Sequence, residues 1–500
     1  MVEILSRLLS FPPDTPPTLS KIPDVEYDKE ICTLYSELKR ISAHKLVADI
    51  PGKGGLLELL DPGRQTLAYL FVLLSHYQVS QENTKESFPA AWLPGGEIWL
   101  KSVALLKVFD PIQVRYAGQE WRSLVEMTAK SAEIASRPLL ALHPLKHAIL
   151  RLDPSSSTFT SSHTTFVRLC LQSRSYLNAL DILDKPICHF PTTFDKQFIK
   201  RSQLLPCQQH ESSVSFITAA SGLSGKINHR SYLEYFFYGA MVYMGLKRWD
   251  DAIHFLEIAI SAPTTNSVSM IMVEAYKKWV LLCLLEKGKP LPMPKTVTPF
   301  TANAYRSLAK PYDALADIFK SGDLARLQAE ITAGEPVWLN DNNMGLVSQV
   351  LVAYQRFSIV KLEKTFAALS IPDIASYLGP DTQVTDVFVA GLITAGQLRG
   401  CLTHASDVST PTVLRFTSST SSLGHQSELK FSADLATQRN RLETLLRNVN
   451  GTDIKLELGR EYIESLRKIP RRSDVDGRDG RPTAGISNSE IDEDVMGDFE

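Results

Sequence analysis

Apolar positions recur at helical spacing through most of the chain, and alternating stretches are rare, so helices are the predicted element almost throughout. A short helix opens the sequence. Residues 11–28 follow it as a loop carrying Pro12, Pro13, Pro16, Pro17 and Pro23. Residues 30–130 read mainly as helices. The run Leu56-Leu57-Leu59-Leu60 is closed by Asp61-Pro62-Gly63, Thr66–Val79 repeats apolar residues at helical spacing, and Pro94-Gly95-Gly96 interrupts before Ile98–Phe109.

The middle of the chain repeats itself. Ala141/Leu145/Ala148 with Pro154, Ala179/Leu183 with Pro186, and Ala252/Leu256/Ala259 with Pro263 share one spacing, a small residue, then leucine, then a proline. The leading alanines are 38 and 73 residues apart, so the period lies in the mid-thirties, as in tandem helix–turn–helix repeats of the TPR type. In the third copy Phe236, Gly239, Ala240 and Tyr243 supply a fitting first helix, and Tyr176 and Trp249 stand three residues before the last two alanines. Alanine lets antiparallel helices approach closely while leucine fills the neighbour's groove. An irregular helical bundle is the alternative. A helix pair, Ser269–Glu286 and Asn303–Phe319, continues the region.

Near residue 341 the pattern changes. Asp341-Asn342-Asn343 suits a cap for a helix over Met344–Phe357. Three short helical patterns follow: Ile359–Leu369, Ile371–Leu378 and Val384–Ala395. Leu398–His404 and Thr412–Thr417 then read as two strands. Three small helices and a two-stranded wing make a winged helix. Beyond a Ser/Thr run at 417–422 a long helix carries a narrow stripe of Leu435, Leu442, Leu446 and Val449. Asn450-Gly451 ends it, and a second helix runs from Asp453 to Lys468. The fold class is thus mainly α: a TPR-like helical repeat solenoid, then a winged-helix subdomain, then C-terminal helices. The expected units are 1–135 (N-terminal helices), 136–340 (repeats), 341–420 (winged helix), 425–470 (C-terminal helices) and 471–500 (a disordered acidic tail).

Charge and chemistry narrow the function. The formal charge is −2 over 500 residues, and the last thirty hold 4 Arg against 9 Asp and Glu, so no global pull toward nucleic acid or anionic membrane exists. Six cysteines without a CxxC pair point to a reducing compartment. The N-terminus lacks the pattern of a signal peptide, and no apolar run approaches a membrane span. No phosphate-binding loop, HExxH, GxSxG or kinase motif set is present. His143 and His147 are four apart with no glutamate after the first. Cys188, His189, Cys207 and His210 are the residue types of a zinc site, but in an uncommon spacing that fits a long loop with a buried thiol better. Neither catalysis nor a cofactor is therefore expected. A DNA-reading winged helix needs cations on its third helix. Here Asp381–Ala395 has no Lys or Arg and two Asp, and the wing offers Arg399, Arg415 and His404. Protein interaction fits better than nucleic acid.

Helical repeats running into a winged helix describe the PCI domain, which this chain resembles. Tyr235–Lys289 (YFFYGAMVYMGLKRWDDAIHFLEIAISAPTTNSVSMIMVEAYKKWVLLCLLEKGK), Asp341–Val347 (DNNMGLV) and Lys361–Ser376 (KLEKTFAALSIPDIAS) resemble the subunit 3 family of the COP9 signalosome. The resemblance covers 235–376 and is looser over the wing. It implies a non-catalytic subunit of an eight-subunit assembly that removes a ubiquitin-like modifier from cullins, in nucleus and cytoplasm. PCI subunits of this family join through their winged helices and a shared helical bundle, with subunit 3 between subunits 1 and 8. The alternatives are a PCI subunit of the proteasome lid or of translation initiation factor 3, or a nucleic-acid adaptor.

Two contacts follow physically. An unpaired wing edge can be extended by another chain's wing, with Leu398, Cys401, Val413, Leu414 and Phe416 as candidates. Strand alternation requires about half of these to pack inward instead. The stripe Leu435/Leu442/Leu446/Val449 suits a multi-helix seam; docking back on its own chain is the other role open to it. Ser473, Ser487 and Ser489 lie among acids or arginine, a context that suits phosphorylation.

Overall fold

Small residues at helix crossings and left-handed residues at the turns set how the repeats stack. The chain is described by a computed structural model covering residues 2–12, 23–49, 54–83, 88–191, 205–210, 212–264, 267–378, 382–403, 412–416, 425–459 and 462–464. The Ser/Thr run, His404, the acidic tail and its serines lie outside the described residues.

Three helical hairpins carry the repeat. Gly118–Ile134 turns into Leu139–Leu152, Ser161–Gln172 into Tyr176–Leu183, and His229–Gly245 into Trp249–Ile260. The Ala and Leu residues of the spacing are all buried on the second helices. Each turn is made the same way. Ser136, Arg174 and Lys247 have φ of 53°, 55° and 58°, each five residues before its leading alanine. The next amide donates back over five residues: Arg137 to Ala132, Ser175 to Cys170 and Arg248 to Tyr243, at 2.9, 2.9 and 3.0 Å. This is the backbone closure of a Schellman motif, repeated in register with the Ala–Leu spacing.

Gly239 lies where two repeats meet. A Cβ there would stand 2.7 Å from the Phe255 ring and 3.1 Å from Leu183, so only glycine permits the approach. Met270–Lys287 is buried on nearly every side and forms a spine. Gly288 ends it in the left-handed conformation, with the Phe357 ring against the place a Cβ would fill.

Five elements differ from the sequence reading. The loop expected to reach residue 28 ends earlier, at the helix Asp24–Arg40 that follows Pro23. Asn303–Phe319 is two helices, Pro299–Leu308 and Lys310–Ser321, because Pro311 in the first turn of the second lacks the N–H that would continue the first. Met344–Phe357 continues unbroken to Leu362, since nothing between Phe357 and Ile359 stops a helix. The residues that follow are not helical to Leu369. They turn and form a strand, β1 (Ala368–Ser370), which joins β2 (Gly400–Thr403) and β3 (Val413–Phe416) in an antiparallel sheet ordered β1-β3-β2. Finally, His425–Glu457 is one helix of 33 residues that runs through Asn450-Gly451. One glycine inside a helix costs only about 1 kcal/mol, too little to end it here.

The core is in two parts. A large cluster runs from Leu8 to Tyr354, and a small one joins Ile359, Ile371, Ile374, Val389, Leu392, Leu398 and Leu414 under the sheet. Among the described residues no helix is long and apolar enough to cross a membrane. All six cysteines are free.

Candidate interaction surfaces and the clamp behind them

The wing sorts its side chains by strand alternation. β3 is the central strand, pairing Leu414 with Leu369 on one side and Leu402 on the other. Leu414 and Leu398 are buried in the small core, and Phe416 packs against it. Arg415 and its partner Cys401 are exposed on the other face, with Val413 half-buried. Because both sides of β3 are paired, another chain's strand can add only at β2 or β1. The free edges therefore run along β2 (Gly400–Thr403) and β1 (Ala368–Ser370), and the outer edge of Val413–Phe416, which a two-stranded wing would have left open, is closed by β1.

The helix Thr382–Thr394 exposes Gln383, Val384, Val387, Gly391 and Thr394, a face without a cation where a DNA reader would carry several. Val387 is 75% exposed, and Tyr377 on the preceding helix is 61% exposed.

The stripe on the long C-terminal helix is open. Leu435, Leu442, Leu446 and Val449 are 55%, 60%, 54% and 53% exposed. At 1.5 Å per residue the helix is about 50 Å long. Among the described residues this apolar line is left more than half exposed.

A buried polar clamp ties the repeat helices to the turn that opens helix Met344–Leu362, the helix that leads to the wing. Lys277 Nζ donates to Glu274 Oε1 at 2.7 Å and to Asp341 Oδ2 at 2.9 Å. Tyr312 Oη donates to Asp341 Oδ2 at 2.8 Å. Lys278 Nζ donates to Asn343 Oδ1 at 2.6 Å, and Asn343 Nδ2 donates to Tyr312 Oη at 2.8 Å. Burial works against the charge of both lysines. For Lys277 the bonds to Glu274 and Asp341 outweigh it and raise the pKa; for Lys278 burial prevails and lowers it. The Asp341-Asn342-Asn343 turn is thus more than a helix cap. Asn343 makes no side-chain capping bond to the helix it precedes, and its amide is spent on Lys278 and Tyr312. AYKKW (Ala275–Trp279, inside the Tyr235–Lys289 string) and DNNMGLV, which carry part of the family resemblance, supply Lys277, Lys278, Asp341 and Asn343 to this clamp. No sequence rule pairs residues 64 positions apart.

The cysteine–histidine segment does not assemble. Cys207 Sγ donates to the Asp24 carbonyl and His210 Nε2 is 2.9 Å from the Leu205 carbonyl oxygen, while Cys188 and His189 lie beside the C-terminal helix. Among the described residues no three His, Cys, Asp or Glu side chains group as metal ligands. His143 and His147 have ring centroids 4.4 Å apart on one helix.

Loop 154–160 is more ordered than a serine-rich stretch suggests. Ser156 Oγ is 2.8 Å from His163 Nε2, Thr160 Oγ1 is 2.8 Å from His163 Nδ1, and Thr158 Oγ1 is 2.7 Å from Ser213 Oγ, all buried. Thr158 also bridges to His189. Burial holds the His163 ring neutral, with its pKa lowered to about 4. This network staples three loops to the repeats.

Comparison with known proteins extends the resemblance to both ends of the chain. A family model described as the N-terminal helical repeats of COP9 signalosome complex subunit 3 matches residues 31–301, well N-terminal of the strings noted in the sequence. The COP9 signalosome complex subunit 3 of Emericella nidulans is 40% identical over 504 residues, covering 100% of both chains. That of Neurospora crassa is 28% identical over 420 residues, covering 82% of this chain and 81% of the relative. With its repeats in register and its alignment complete from end to end, the chain belongs to the COP9 signalosome subunit 3 family.

Proposed function

We propose that this chain is a non-catalytic scaffold subunit of a COP9 signalosome that deneddylates cullin-RING ubiquitin ligases, working in nucleus and cytoplasm. The observation that carries the reading is the open leucine stripe on a helix of 33 residues. A stripe this narrow is too thin for a monomer core helix, and it suits a bundle made with helices of other subunits. The free β2 edge supplies the second contact, by continuing the sheet into a neighbouring PCI wing. Subunits 1 and 8 are the partners that the family resemblance implies. The clamp supports a scaffold role because it fixes the start of Met344–Leu362, the helix that leads from the repeats into the wing.

The test is a double substitution, Leu442→Asp with Leu446→Asp, in the tagged full-length chain expressed in its own cells. The double variant should lose its co-purifying subunits and keep the hydrogen-exchange protection of its repeats. Retention in the complex at the wild-type level refutes the bundle contact. Nucleic-acid binding is the competing reading, and the cation-free face of Thr382–Thr394 speaks against it. Tight, salt-sensitive gel shifts at low salt would reverse that choice.

A further inference from the structure

The C-terminal helix has a second face. Arg441 and Leu445 line a cavity of about 350 Å³ whose other wall is the aromatic side of the repeats, including Phe190, Tyr232 and Phe255. Farther along the same face, the Asn448 carboxamide stands against the Cys188 thiol and the His189 ring and acts on the titration of both. Its Nδ2 is buried and meets no acceptor at hydrogen-bond geometry. Lys455, half-buried, comes close enough to disfavour a charge on His189.

Residues 441, 445, 448 and 455 follow the spacing i, i+4, i+7, i+14 and fall on one face. At about 100° per residue that face is roughly 110° around the helix from the line through Leu435, Leu442, Leu446 and Val449. The two sets of side chains do not compete for the same side. The first set touches the repeats, with Asn448 and Lys455 half-buried and Leu445 still 44% exposed, while the leucine stripe touches nothing in that groove and is 53–60% exposed.

We propose that the aromatic groove between Leu183 and Phe255 is the receptor for this chain's own C-terminal helix, seated through Arg441, Leu445 and Asn448. The seat holds the helix before any partner arrives and turns its leucine stripe outward. Its consequence for assembly, a bundle helix already oriented and so cheaper to order, rests on the scaffold reading; the seat itself does not.

Native Cys188 provides the test. In the full-length chain alone, at high dilution with oxidised glutathione, Asn448→Cys should bridge to Cys188 within one molecule, as read by non-reducing peptide mapping. Leu442→Cys, on the outward face, should not. In a separate chain, Leu445→Asp should raise amide exchange across residues 435–457 at least tenfold and leave 229–287 unchanged, which also checks that the repeats remain folded. A bridge of equal yield from Leu442→Cys, a bridge only between two chains, or unchanged exchange in Leu445→Asp would overturn the seat. Because none of these readouts involves another subunit, they separate failure of the seat from failure of the scaffold reading.

Discussion

Replacing Asp341 by alanine strikes the clamp at its most connected acceptor. Asp341 Oδ2 receives both Lys277 Nζ at 2.9 Å and Tyr312 Oη at 2.8 Å, in a site where its side chain is 12% exposed. Removing one partner of a buried ion pair costs about 3–5 kcal/mol when the other is left alone. Lys277 keeps Glu274 at 2.7 Å, and Tyr312 still accepts from Asn343 at 2.8 Å but loses the acceptor of its own O–H. The loss reduces to two hydrogen bonds to a charged acceptor, and about 3 kcal/mol is the working figure. Lys277→Met removes the charge that Asp341 neutralises, and methionine fills most of the same space. If the clamp acts as a unit, the double variant is less damaged than the two single costs added, by a coupling of about 1–3 kcal/mol. Native-state hydrogen exchange of 270–287 and 341–362 in the four full-length chains measures this directly. Additivity within about 0.5 kcal/mol would refute the claim that these residues form one coupled joint.

Three further outcomes follow from the same geometry. Gly239→Ala drives a methyl toward the Phe255 ring, 2.7 Å away, and should cost about 1–3 kcal/mol in chemical denaturation; a neutral result would deny the close helix approach. Leu414→Ala empties the centre of the small core and should cost about 2–5 kcal/mol, read as faster exchange over 368–416 with the repeats unaffected. Below pH 6.5 an unfolded His163 takes a proton that the folded ring, with a pKa of about 4, refuses. Stability should therefore fall as pH drops from 6.5 to 4, by up to about 3 kcal/mol from this residue. His163→Gln should flatten that part of the denaturation profile, and an unchanged slope would place the pH dependence elsewhere.

The repeat was legible because its physics is local. Ala at a crossing and Leu four residues on recur with a fixed period, and burial follows them helix by helix. The left-handed turns at Ser136, Arg174 and Lys247 were not legible, since none is a glycine or asparagine that would advertise positive φ. The third strand of the sheet escaped for a different reason. Ala368-Leu369-Ser370 is short and follows a sequence of good helix formers, so only pairing with β3 makes it a strand. That pairing also closes the edge of Val413–Phe416 and leaves the edges of Gly400–Thr403 and Ala368–Ser370 free. Along the C-terminal helix the leucine stripe was plain from its spacing. The contacts of Arg441, Leu445 and Asn448 on a second face were not, because their partners lie some 190 to 260 residues earlier in the chain.

The central claim is membership in a multi-subunit deneddylase as a scaffold. Native purification of the tagged full-length chain from its own cells, with mass spectrometry and a cullin deneddylation assay on the eluate, tests it most directly. The account predicts signalosome subunits in the eluate together with deneddylation, and no deneddylation from the chain purified alone. Elution of the chain as a lone 55.7 kDa species, or deneddylation by the isolated chain, would contradict it.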